Sequence, residues 1–169
     1  VTAPFRLEPL DEHDRSAFGC GEEPLDRYFK TQVTQDIRRN ITNCFVALEA
    51  ATGALAGFYT IAATSIATPD LPAEVTKRLP RYPTLPGVRV GRLAVDQRFR
   101  GKGLGGALLV DAAERALRSE VAAYAMVVDA KNEQAVAFYE HHGFQRLASQ
   151  PQTLFLPLAT AAKALARRP

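Results

Sequence analysis

Apolar positions along this 169-residue chain switch between two periods. Residues 5–9 read as a short strand, and residues 43–49 and 55–66 are apolar and β-branched stretches that predict two more. Ala51-Thr52-Gly53 between the last two marks a hairpin turn. Over 24–39, Leu25, Tyr28, Phe29, Val33 and Ile37 fall near a 3–4 spacing, and Pro24 suits a first helical turn. Residues 68–86 hold five prolines and predict an irregular segment with one short helix near 72–78. Beyond it the pattern reads strand 88–95, helix 103–118, strand 123–128 and helix 132–142. Closing strands follow at 144–147 and 153–158, then an Ala-rich tail, 159–168, with Lys163, Arg167 and Arg168 that reads as a frayed or docking helix. This order predicts an α+β fold with an antiparallel front half and one βαβ unit behind it.

Composition narrows the class. The length suits one domain with a real core, and no apolar run approaches the roughly 18–20 residues that cross a bilayer. The start lacks the basic and apolar regions of a signal peptide, so a cytoplasmic location is expected. Cys20 and Cys44 form no CxxC pair and His13, His141 and His142 show no ligand spacing, so neither a disulfide framework nor a metal site is expected. Overall charge is only +3, yet residues 77–102 contain eight basic side chains and one acid, Asp96, a local +7. Such a window is either a field for phosphates and nucleic acid or a solvated face.

Within that window, Arg98-Phe-Arg100-Gly101-Lys102-Gly103-Leu104-Gly105-Gly106 lies between a predicted strand and an amphipathic helix. Glycines there bring backbone N–H groups and a helix N-terminus to a ligand, and a pyrophosphate is the matching guest. A P-loop would need Ser or Thr after Gly-Lys, whereas Gly103 follows Lys102. A dinucleotide fingerprint is matched literally by Gly101, Gly103 and Gly106, with Asp129 on the next strand, but five residues separate its first glycine from the strand. A purely structural turn is the third reading.

The run from Gly91 to Leu109 resembles the central signature of GNAT N-acetyltransferases, with Arg98-x-x-Gly101-x-Gly103 as its pyrophosphate loop. A second family mark follows at Asn132-x-x-Ala135-x-x-Phe138-Tyr139-Glu140-x-x-Gly143-Phe144. Phe18-x-Cys20-Gly21, Gly57-Phe58-Tyr59-Thr60, Leu79-Pro80-Arg81-Tyr82-Pro83 and the ending 153–158 are similar to one branch, the acetyltransferase toxins of bacterial toxin–antitoxin pairs. The resemblance implies a GNAT domain over 1–158, a mixed and mostly antiparallel sheet flanked by helices, with 159–169 as an appended basic tail. It implies acetyl transfer from acetyl-CoA, without a metal, to the α-amine of aminoacyl-tRNA, which stops translation. A homodimer and a DNA-binding antitoxin partner come with it.

The same resemblance implies the site. The oxyanion contact falls to the backbone near Val95, and CoA to Leu93, Ala94, Val95, Arg98, Arg100, Gly101, Lys102, Gly103, Leu104 and Gly105. Asn132 is either a CoA contact or a helix N-cap. Tyr139 is the general acid for the departing thiolate, or else an ordinary core aromatic with a satisfied hydroxyl. No general base stands out, since His13 sits in a polar, exposed-looking segment. An α-amine near about 8 needs less help than a lysine near about 10.4. Arg38, Arg39, Lys77, Arg78, Arg81, Arg89 and Arg92 are assigned to the tRNA acceptor arm. The rival readings are a GNAT enzyme acting on a protein N-terminus, a ribosomal protein or a small amine, a nicotinamide-dependent Rossmann enzyme, and a binding module that merely holds CoA.

Overall fold

A computed structural model describes residues 4–167, so Arg168 of the expected tail lies outside it. The strands are β1 (Phe5–Pro9), β2 (Asn43–Glu49), β3 (Leu55–Ala67), β4 (Thr84–Val95), β5 (Ala125–Asp129), β6 (Gln145–Arg146) and β7 (Thr153–Pro157). The helices are α1 (Glu23–Arg27), α2 (Val33–Arg38), α3 (Ala73–Thr76), α4 (Leu104–Arg118), α5 (Glu133–His141) and α6 (Leu158–Ala166). Seven strands form a mixed sheet in the order β1-β2-β3-β4-β5-β7-β6. β4 and β5 are parallel, joined through α4 as the expected βαβ unit, while β1/β2, β2/β3, β5/β7 and β6/β7 are antiparallel. No helix among the described residues is long and apolar enough to cross a membrane.

The chain divides into two compact units, residues 1–62 with 91–112 and residues 63–90 with 113–169. In the first, Phe29 and Phe58 stack at 4.2 Å, and Phe18 packs edge-on to both. Val33, Val46, Leu48 and Leu55 complete that core. The expected helix over 24–39 is interrupted: Tyr28–Gln32 between α1 and α2 is a π-helical segment. Its cause is tertiary, because Arg15 donates to the Phe29 carbonyl at 2.7 Å and to Thr34 Oγ1 at 3.1 Å. Such a widened turn leaves a carbonyl for an outside donor. α2 ends on Asn40, whose φ of 58° lets Ile41 N–H reach the Asp36 carbonyl and Asn40 N–H the Ile37 carbonyl.

In the second unit Ile66, Leu71, Leu85, Ala125, Val127, Leu147 and Phe155 form the core. β4 begins at Thr84, earlier than its pattern suggests, because Pro86 needs only to accept, and its carbonyl takes the Tyr124 N–H at 2.8 Å. The tail is a helix rather than a frayed end: α6 starts at Leu158, buries Leu158 and Ala161, and packs on β5 and β7.

β3 and β4 approach closely where β3 carries no side chain. A Cβ on Gly57 would stand 3.0 Å from the Ala94 carbonyl oxygen and 3.2 Å from Leu108 Cδ1. Gly57→Ala is expected to destabilise the protein by about 1–3 kcal/mol through overpacking, lowering the melting temperature by several degrees. Thermal unfolding of the two proteins measures it.

Candidate active site

In the first unit the last residues of β4 run straight into the glycine turn. The β4–β5 ladder spans Gly87↔Ala125 to Val90↔Val128, and β4 continues through Val95 beyond that register. Arg92 N–H donates to the buried Thr60 Oγ1 at 3.0 Å and Asp96 N–H to the Ala56 carbonyl at 2.8 Å, both toward β3. Successive strand N–H groups point to opposite edges. Leu93 and Val95 therefore aim their N–H groups at the other edge of β4, past the end of the ladder. Two parallel donors on one strand are a ready acceptor site for a carbonyl that gains negative charge. Ala94, between them, is buried.

Asp96 then fixes the turn. It is 1% exposed and accepts the N–H groups of Gly19 at 2.9 Å and Arg98 at 2.8 Å, along with Arg98 Nε at 2.9 Å. Burial alone would raise its carboxyl, but the Arg98 and Gly19 hydrogen bonds hold it below the usual carboxylate value. Gln97–Phe99 forms one 3₁₀ turn, and Arg100 donates to the Cys20 carbonyl. Gly101 and Gly103 both have φ of 75°, and nothing lies within 4 Å of a Cβ built on either. α4 begins at Leu104, which is buried, with Gly105 half-buried on its first turn. This open backbone at a helix N-terminus fits a diphosphate. Of the three cations read there, Arg98 and Arg100 are held by Asp96 and Cys20, and Lys102 Nζ lies 5.6 Å from the Phe99 ring centroid.

Asn132 and Tyr139 belong to the second unit. Asn132 is an N-cap, its side-chain oxygen accepting the Ala135 N–H at 2.9 Å. Tyr139 is 8% exposed on α5, edge-on to Phe138 and Phe144. Its hydroxyl has no hydrogen-bond partner among the described residues, unlike that of a settled core tyrosine. Burial, reinforced by the Asp129 charge, pushes the phenol up to about 12. Asp129 itself accepts from Arg89 and from Thr153 Oγ1 at 2.8 Å, a structural pairing in place of the ribose contact that a dinucleotide fold would need.

The remaining basic residues divide by environment. Arg38 and Arg39 end α2 exposed, and Arg78 and Arg81 are exposed without an ion pair among the described residues. Lys77 pairs with Glu74 at 2.8 Å, and Arg89 pairs with Asp129. The Arg92 guanidinium lies 3.5 Å over the Tyr28 ring, whose hydroxyl donates to Asp36 at 2.7 Å. His13 is not exposed as its neighbours suggested: its Nε2 meets Glu8 at 2.9 Å. Burial raises the Cys20 thiol to about 11 and Cys44 to about 12, which leaves both unreactive at neutral pH. Sequence reading missed Asp96 as the organiser of the turn; its only signal was a lone acid inside the basic window.

Strand-edge donors running into a glycine-opened turn suit an acyl-CoA-dependent acyltransferase. Residues 40–146 match the family model for the acetyltransferase (GNAT) domain. The chain is 34% identical over 162 residues to the tRNA-acetylating toxin of Mycobacterium tuberculosis, covering 95% of this chain and 94% of that one. A solved structure of AtaT complexed with acetyl-methionyl-tRNAfMet superposes with a TM-score of 0.85 at 27% identity, covering 95% and 99% of the two chains. An AtaT mutant toxin bound to the C-terminus of the antitoxin AtaR gives 0.79 at 25% identity, covering 98% and 100%. The chain belongs to the GNAT acetyltransferase family.

Gly103→Ala forces an alanine into left-handed backbone at the diphosphate turn, at about 1–2 kcal/mol. Acetyl-CoA affinity by titration calorimetry is expected to fall about tenfold, with the fold intact.

Proposed function

We propose that this protein is an acetyltransferase toxin that moves the acetyl group of acetyl-CoA to the α-amine of aminoacyl-tRNA and so blocks translation. What carries the transferase half is the β4 edge at Leu93 and Val95, opposite the N–H groups of Arg92 and Asp96 given to β3 and continuous with the Gly101–Gly103 turn. The tRNA half rests on the relatives, which are a tRNA-acetylating toxin and AtaT with an acetylated aminoacyl-tRNA, and on the exposed Arg38, Arg39, Arg78 and Arg81.

The neutral substrate amine attacks the thioester carbon, the carbonyl oxygen gains charge toward the Val95 N–H, the nitrogen loses a proton to water, and the carbon–sulfur bond breaks. One such donor is worth about 3–4 kcal/mol in the transition state. Backbone at Ala94, Gly101, Gly103, Leu104 and Gly105, with Lys102, Arg98 and Arg100, holds CoA. Asn132 serves that end by capping α5, the helix that carries Tyr139. Tyr139 gives its proton to the thiolate. Arg38, Arg39, Lys77, Arg78 and Arg81 meet tRNA phosphates, as do Arg89 and Arg92, which also pair with Asp129 and with the Tyr28 ring. The reading takes 1–158 as one catalytic domain with 159–169 appended to it. It also carries a cytoplasmic location, where charged tRNA resides, a homodimer, and a DNA-binding antitoxin partner, for which the AtaT–AtaR complex is the precedent.

The test is transfer of labelled acetyl from acetyl-CoA to a pool of charged tRNA, with uncharged tRNA and free amino acids as controls. Label is expected only with charged tRNA, leaving with the amino acid on mild alkaline hydrolysis. Label on protein or small amines alone would overturn the substrate assignment.

Tyr139→Phe is expected to bind acetyl-CoA normally and lose about 10²–10⁴-fold in turnover. Because the phenol stays protonated to about 12, the rate should rise as the substrate amine deprotonates and show no falling limb within the pH range in which the aminoacyl ester survives. A descending limb within that range, or full turnover in the variant, would contradict the role.

A further inference from the structure

The proline-rich segment before β4 builds a cavity of its own. Within the second unit, Thr68, Lys77, Pro80, Arg81, Tyr82 and Pro83 line about 430 Å³ of open space. That volume lies within the usual range for small-molecule pockets. Its cations are Lys77 and Arg81, and no acid lines it.

Tyr82 is 60% exposed, so its ring is open to solvent. Its backbone is held independently of the ring: Thr68 Oγ1 donates to the Tyr82 carbonyl at 2.6 Å, and Thr68 N–H to the Pro83 carbonyl at 3.0 Å. Pro80 and Pro83 fix two further φ angles. The ring is therefore presented to solvent by a stiff frame. The stiff frame lowers the ordering cost that a ligand would otherwise meet on binding.

A fixed aromatic face beside two cations matches an unpaired nucleotide, with the base stacked on the ring and the phosphate at the cations. A duplex offers phosphates but no free base face, so it would leave Tyr82 unused. We propose that this pocket takes one unpaired nucleotide of the substrate tRNA, its base on Tyr82 and its phosphate on Arg81 and Lys77. The inference rests on the reading that the chain acts on charged tRNA, which supplies an RNA with a single-stranded 3′ end and unpaired loops.

The experiment places 2-aminopurine in tRNA, either in the 3′ single-stranded end or in the anticodon loop, and follows its fluorescence with wild-type protein, Tyr82→Ala and Tyr82→Phe. Wild type and Tyr82→Phe should quench one of the two labels, which identifies the nucleotide, and Tyr82→Ala should not. In steady-state acetylation, Tyr82→Ala should raise KM for charged tRNA about tenfold, with Tyr82→Phe restoring it and KM for acetyl-CoA unmoved. The quench is read on uncharged tRNA too, so it decides the pocket even where acetylation itself fails. Quenching of neither label, or a KM in Tyr82→Ala within twofold of wild type, would overturn the proposal. So would an unchanged tRNA affinity in a Tyr82→Ala protein that has lost its antitoxin, which would make the pocket a peptide-docking surface instead.

Discussion

A single buried carboxylate decides the shape of the first unit's functional edge. Asp96 stands where β4 stops, and its two oxygens gather the Gly19 N–H, the Arg98 N–H and the Arg98 guanidinium. Gln97 N–H answers to the Gly19 carbonyl at 2.9 Å, and the Arg100 guanidinium to Cys20. The loop before α1, the end of β4 and the diphosphate turn are thus tied at one point. Burying a carboxylate is costly unless charge-assisted hydrogen bonds replace its hydration, and here they do. Its lowered pKa makes that contribution to stability complete above about pH 3.9, the unfolded value, and lost as pH falls through the lower folded value.

Preorganisation follows from that knot. The Val95 N–H keeps a fixed direction, because Asp96 N–H and Arg92 N–H are both committed to β3. Donors that need no reorganisation during the reaction are what make an oxyanion contact effective. Gly101 and Gly103 then hold the following turn in left-handed backbone. Arg98 and Arg100 also serve the frame, through Asp96 and the Cys20 carbonyl.

What the sequence carried most clearly was periodic or covalent. The strand and helix order, the βαβ unit, the hairpin turn at Gly53 and the glycine loop all follow from local residue types, and the fold matches them. Features made by distant partners were not legible. The π-helical turn depends on Arg15 reaching Phe29 from fourteen residues away, while Tyr28, Phe29 and Val33 still read as ordinary helical spacing. Asp129 completed a literal dinucleotide fingerprint, and in the fold it is paired with Arg89 from β4 and Thr153 from β7. His13 looked solvated because its partner, Glu8, sits on the preceding strand. For Tyr139 the motif named a role, and only the fold shows a buried ring whose hydroxyl is left without an internal partner.

The most direct test of the account is the acetyl-CoA dissociation constant of Asp96→Asn, measured by calorimetry at a temperature where the variant is folded. The amide keeps the size of the side chain but removes the charge that pins Arg98 and the turn. A loss of about tenfold in affinity is predicted, about 1.4 kcal/mol. A folded Asp96→Asn protein that binds acetyl-CoA within twofold of wild type would show that the diphosphate turn holds its shape without this carboxylate, and the account would fail at its base.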